Sequence, residues 1–371
     1  MKKNLEENKY NKLEESMKAM ASTKVLIAVI GQSGVGKSYF INNMLGLNEG
    51  DEGAAEVGDG DTTTKRTVYS HPQNRNLEFA DLPGVGTPDF EMSDKYLEKM
   101  KAEIHDFFLI FYPATIGDPE KKVIEKLLAL KKKFALVRTK ADEMTRRREK
   151  PLHQSIATSK DKSRTNLEKF GIAAEVEIFV ISNINLEIGE FNQLFAFMET
   201  NLSRIKREAL IVHIHAQTEE IIGKKEKYLT RRAWKAAAFM GIATSVPIPG
   251  FDIPINVAAL AGEVIFALYT FGLNFEMLVK FPVETFKQLK TAFDIHQKGL
   301  NSFIIANIAK APVVISGILV QQAIEMLLPV TGSLITGSVA YKFYINFLRD
   351  VIKRLAGDAR TLRKLHVESV V

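Results

Sequence analysis

The stretch Gly31–Gln32–Ser33–Gly34–Val35–Gly36–Lys37–Ser38 limits how this chain can fold more than any other. It fits the pattern G-x-x-x-x-G-K-[ST], and its flanks matter as much as its letters. The apolar segment KVLIAVI precedes it, and SYFINNML follows with helical spacing. Strand, glycine turn and helix in that order let the backbone approach anionic oxygens, while the helix opening at Lys37 adds the positive end of its dipole. The pattern predicts a cradle for a nucleotide's phosphates lined by residues Gly31 to Tyr39. Lys37 would bridge the β- and γ-phosphates, and the Ser38 hydroxyl would ligate Mg²⁺.

A phosphate cradle does not choose a base, but two later stretches do. In LEFADLPGVG, Asp81 ends an apolar run and Gly84 follows three residues on. A carboxylate there suits the Mg²⁺ shell, and the Gly84 N–H can meet a γ-phosphate. In FALVRTKAD, Thr139, Lys140 and Asp142 fit the guanine-reading N/T-K-x-D pattern. A carboxylate at Asp142 accepts from guanine N1–H and the 2-amino group together, and adenine has neither donor at that edge. Leaving such donors unpaired costs roughly 1–3 kcal/mol each, enough to discriminate. The Lys140 stem would lie along the base. Ser182 and Asn183, after EIFVIS, are candidates for the last base-binding loop. The cofactors expected are therefore GTP or GDP with Mg²⁺. Between these motifs, GDGDTTTKRTVYSHP reads as a switch loop that needs one threonine for Mg²⁺. Thr62, Thr63 and Thr64 each offer the hydroxyl, and the residues alone do not choose.

The chain of 371 residues exceeds the roughly 250–300 that one core usually serves. Residues 1–21 read as a lone amphipathic helix. Residues 22–200 alternate apolar runs with helical patterns, which predicts an α/β domain with a mostly parallel sheet covered on both faces. Residues 201–371 read as long helices broken at VPIPGFDIP, near Lys280–Pro282 and at LLPVTGS. With no cysteine in the chain, disulfides, thiolate zinc sites and cysteine nucleophiles are excluded, and the cytosol is the simplest compartment. The net charge of +6 is mild and spread along the chain, so no nucleic-acid partner is expected. Lys2 stands where N-myristoylation needs glycine, and ESVV is no prenylation signal, so lipid anchors are not expected either.

The helical half holds one tempting membrane span, INVAALAGEVIFALYTFGL, with Glu263 in its middle. A charge there is costly in lipid, so a buried helix pair is the preferred reading and a reversible membrane-inserting hairpin the alternative. The stretch YKFYINFLRDVIKRLAGDARTLRKL carries seven Lys or Arg residues. Two readings stand: a basic amphipathic helix lying on anionic membrane, or a packed helix with a solvated face. The lone Trp234 reads as a helix-packing residue.

The segments GQSGVGKS, YSHPQNRNLEFADLPGVGTPDF, DFFLIFYPATIGDPE, FALVRTKAD and PIPGFD together resemble the immunity-related GTPases, over roughly residues 5–365. The resemblance implies a P-loop GTPase domain joined to an all-α domain made of the N-terminal helix and the C-terminal half. It implies GTP hydrolysis, assembly of like molecules through the GTPase domain, partnership with other family members and action at intracellular membranes. It also puts Thr63 at the Mg²⁺-binding switch threonine and Asp61 where the family carries an acidic residue, usually glutamate, that helps hydrolysis in the assembled pair. Gly36–Lys37–Ser38 matches the lysine-bearing members rather than the methionine-bearing ones.

Val85 follows Gly84, where many small GTPases place a glutamine that orients water. An apolar side chain cannot do so, and self-activation by dimerisation is the expected remedy. The competing expectation is a nucleotide-gated scaffold or dynamin-like membrane-remodelling protein with slow, incidental hydrolysis.

Overall fold

The computed structural model describes residues 23–57, 66–71, 74–82, 101–146, 151–172, 176–243, 252–279, 281–309 and 329–370. Two compact units make up the chain, dividing in sequence between Thr218 and Glu219.

The first unit is built on a six-stranded sheet of order β2-β3-β1-β4-β5-β6. Its strands are β1 (Val25–Gly31), β2 (Thr67–His71), β3 (Asn74–Asp81), β4 (Phe107–Phe111), β5 (Phe134–Arg138) and β6 (Ile178–Val180). All neighbours are parallel except β2 with β3. The central strand FFLIF is buried at every residue, as a strand covered on both faces must be. The interleaved helices are α1 (Lys37–Leu45), α2 (Asp118–Ala129), α3 (Ala141–Arg146), α4 (Leu152–Lys169), α5 (Phe191–Asn201) and α6 (Arg204–His213).

One sheet face carries Ala28, Ile30, Phe108, Ile110 and Leu136, packed with Val123, Ile124 and Leu127 of α2 and Leu167 of α4. On the other face Phe40 of α1 meets Phe111 edge-on at 5.1 Å and Phe79 at 6.2 Å. Burying such a ring contributes about 1.5–3 kcal/mol, and here it seats the helix that follows the glycine loop. Helix α6 belongs with this sheet: Lys206 pairs with Asp106, whose other oxygen accepts from the Leu26 N–H at 3.0 Å. The compact unit therefore extends past the composition change at residue 200.

The five apolar runs form β1, β3, β4, β5 and β6. Strand β2 was expected to be part of the switch loop. Its residues TVYSH lack a continuous apolar run because it is an antiparallel edge strand, with Val68 exposed. Such strands follow another pattern than buried parallel ones.

The second unit is helical: α7 (Glu219–Ala243), α8 (Asp252–Phe271), α9 (Phe275–Leu278), α10 (Val283–Gln288), α11 (Lys290–Lys298), α12 (Leu300–Ala309) and α13 (Pro329–Val370). Glu263, the charge that argued against a span in α8, forms a two-pronged pair with Arg232 of α7, at 2.8 and 2.9 Å. The guanidinium also lies 4.1 Å from the Phe266 ring centroid. Among the described residues no helix is long and apolar enough to cross a membrane. In α13, Tyr344, Leu348, Val351, Leu355, Ala359 and Leu362 are buried at helical spacing, so its apolar side is packed inside the protein. Residues Pro329–Ser333 are helical, so the break expected at LLPVTGS is not found within them. Trp234 is half-exposed (50%), with one edge against Tyr341 at 5.9 Å. The expected N-terminal helix lies outside the described residues.

Candidate nucleotide site

Because β1, β3, β5 and β6 run parallel, the loops that leave their C-terminal ends share one edge of the sheet. The phosphate loop leaves β1, Asp81 ends β3, Thr139 follows β5 and Ser182 follows β6. Ligands of open α/β sheets bind at that edge. The loop order proposed from sequence therefore converges in space.

Within the phosphate loop, Lys37 is buried and its Nζ donates to the Gln32 carbonyl at 2.8 Å. Ser33, Gly34 and Tyr39 are exposed and Ser38 is half-buried. No side chain caps the N-terminus of α1, which leaves its end to an anion. Gly31 closes β1 so near β4 that a Cβ there would collide with the Phe111 carbonyl oxygen.

The base side is ordered by a second set of bonds. Ser182 is fully buried and its hydroxyl donates to Asp142 Oδ1 at 2.7 Å. Ser182 Oγ also accepts from the amides of Ile184 and Asn185, both at 3.2 Å. Ser182 thus aims the Asp142 carboxylate. Lys140 has left-handed backbone (φ 65), which costs a residue with a Cβ roughly 1–2 kcal/mol and is held here by the tight turn into α3. Its side chain is mostly exposed, with Glu143 at 3.9 Å. Thr139 and Asn183 turn towards the phosphate loop: Thr139 Oγ1 donates to the Val35 carbonyl at 2.8 Å and Asn183 Nδ2 to the Gly36 carbonyl at 2.9 Å.

Asp81 is 2% exposed, in register with Val29 of β1 two residues before the loop begins. Burial first, then the charges of Asp81 and Glu56, push the Tyr69 hydroxyl above its ordinary pKa. A carboxylate at the strand end and a hydroxyl in the first turn of α1 form the hard oxygen set that Mg²⁺ prefers, so the residues fit that ion. Asp61, Thr62, Thr63, Thr64, Gly84 and Val85 lie outside the described residues.

Sequence reasoning missed Glu120. It is fully buried at the start of α2; Oε1 accepts from Gln32 Nε2 and Oε2 from the Gly117 N–H, both at 2.8 Å. The spacing Gly117-x-x-Glu120 is a legible helix-start signal. Its reach to the phosphate loop is not.

A family model described as Interferon-inducible GTPase (IIGP) matches residues 1–359. Interferon-inducible GTPase 5 of Rattus norvegicus is 28% identical over 367 residues, covering 95% of this chain and 78% of the relative. Interferon-inducible GTPase 1 of Mus musculus is 30% identical over 272 residues, 71% of this chain and 64% of the relative. Interferon-gamma-inducible GTPase 10 of Mus musculus is 33% identical over 231 residues, 61% and 55% respectively. With a match that runs through both the sheet unit and the helical unit, the chain belongs to the interferon-inducible GTPase family.

Proposed function

We propose how this GTPase works. Lys37 leaves the Gln32 carbonyl for the β- and γ-phosphates. Ser38, Asp81 and Thr63 would hold Mg²⁺, which would supply positive charge to the phosphate oxygens. The Gly84 N–H meets the γ-phosphate, and Asp142, aimed by Ser182, reads guanine beside the Lys140 stem. The observation that carries this reading is the Ser182–Asp142 bond, which orients an acceptor at the same sheet edge as the phosphate loop.

Val85 cannot orient water, so a second copy docking across the nucleotide face completes the catalytic group, with Asp61 as the acidic contributor. GTP and ATP turnover per molecule from nanomolar to micromolar protein tests both points. Expected is GTP preference and a steep rise with concentration. A flat profile sinks self-activation, and ATP preference sinks the guanine assignment.

The site of action is the cytoplasmic face of intracellular membranes, in cell-autonomous immunity, with family members as further partners. Support comes from α13, where Lys342, Arg349, Lys353 and Lys364 are exposed at spacings that share one helix face. Since its apolar side is packed inward, adsorption would be peripheral and electrostatic, about 1 kcal/mol per cation near an anionic surface. Sedimentation with anionic liposomes at low and high salt tests this; binding that survives charge reversal of all four residues overturns it.

A further inference from the structure

Asn183 sits where a base-binding residue was expected, yet its bonds point elsewhere. Its Nδ2 donates to the Gly36 carbonyl at 2.9 Å, and its own carbonyl accepts from Asn43 Nδ2 of α1 at 2.7 Å. Both ends of the residue are therefore held by the phosphate loop and the helix it opens. The Oδ1 atom is shielded from solvent. Gly36 is left-handed (φ 91), and a Cβ there would lie 2.8 Å from Asn183 Nδ2. The amide fills the space that the glycine leaves.

A trans peptide fixes its N–H opposite its carbonyl. The Gly36 carbonyl accepts both from the Phe40 N–H of the first helical turn, at 3.1 Å, and from Asn183 Nδ2, and with it held on that side by the pair the Lys37 N–H points the other way. Thr139 draws the Val35 carbonyl likewise and so sets the Gly36 N–H. Two successive carbonyls pulled out turn two successive N–H groups inward, the arrangement that cradles an anion.

We infer that Asn183 is a positioning residue for the phosphates, acting through the Gly36–Lys37 peptide, and not a reader of the base. This rests on the reading of that loop as the phosphate cradle. The test uses Asn183→Ala and the isosteric Asn183→Asp, which sets an acceptor against the Gly36 carbonyl. Dissociation of fluorescent GDP and of a slowly hydrolysed GTP analogue is timed, and competition by guanine, hypoxanthine and xanthine nucleotides gives base preference. Both variants should release nucleotide roughly tenfold faster, with base preference unchanged. Release within about twofold of the native rate, or an altered guanine-to-hypoxanthine ratio, overturns the inference. If Asn183→Ala also melts lower without nucleotide, Gly36→Ala in both backgrounds decides. Its affinity penalty must shrink once the amide is gone, and an undiminished penalty overturns the inference. Failure of the native protein to bind GTP would instead sink the proposed function.

Discussion

The Lys37 ammonium donates to the carbonyl of Gln32, five residues back in its own loop, at 2.8 Å. The Gln32 side chain in turn donates to the buried carboxylate of Glu120. The loop thus helps to hold its cation in place with its own backbone, at a carbonyl that a phosphate oxygen can replace. Lys37→Ala should weaken GTP binding roughly ten- to a hundredfold, since charge-assisted bonds are worth about 1.5–3 kcal/mol. Turnover should fall at least as far. Arginine should not rescue it, because a planar fork does not replace a compact ammonium. Calorimetric titration with GDP and GTP checks this.

Glu120→Ala leaves the Gln32 amide and the Gly117 N–H without their acceptor. Stability should fall by about 1–3 kcal/mol, and GTP affinity should fall with it. Glu120→Gln keeps one acceptor oxygen and should lie between. Urea unfolding of the three proteins orders them; an unchanged midpoint in the alanine variant refutes the strut.

Asp142→Asn exchanges one acceptor for a donor. Guanine then faces donor with donor, whereas the 2-oxo group of xanthine finds a partner. GTP affinity should fall by an order of magnitude or more, roughly 1–3 kcal/mol, while XTP gains. Ser182→Ala should weaken both by a smaller factor, because it only frees the carboxylate to rotate. Competition binding with the two nucleotides measures the switch.

Lys225 of α7 is wholly buried and donates to the Thr270 carbonyl, in the last turn of α8, at 2.7 Å. Burial pulls its pKa down from 10.5 to about 7. The unfolded chain keeps that proton up to about pH 10. Between the two values the unfolded state binds more protons, so this group's contribution to stability rises with pH. Below about pH 7 both states are charged and the full burial penalty applies. Lys225→Met, of similar volume, should melt above the native protein at pH 6, with an advantage that shrinks towards pH 9.5. Paired thermal melts across that range check the slope; a constant difference means the lysine stays protonated.

The sheet was legible where burial is two-sided. Within KVLIAVI, DFFLIFYP and EIFVIS, the runs VLIAVI, FFLIFY and IFVI are apolar throughout because both faces are covered. TVYSH was not legible, since a half-exposed edge strand looks like a polar loop. At the site, residue types were legible and directions were not. Thr139, Lys140 and Asp142 were expected directly after an apolar strand, and they follow β5. That Ser182 would serve Asp142 depends on where strands separated by about forty residues come together, and that Asn183 would face Gly36 joins positions 147 residues apart. Glu120 escaped because its partner Gln32 lies 88 positions away, beyond any local pattern.

Gly31 has a consequence for how variants of this loop are interpreted. The space its Cβ would need is filled by Phe111 of the neighbouring strand, not by a ligand. A substitution there disturbs β1 against β4 before any phosphate arrives. In a mutational scan scored by nucleotide binding, substitutions at Gly31 and at Lys37 would both register as losses. The Lys37 substitution weakens binding and turnover while sparing assembly of the sheet.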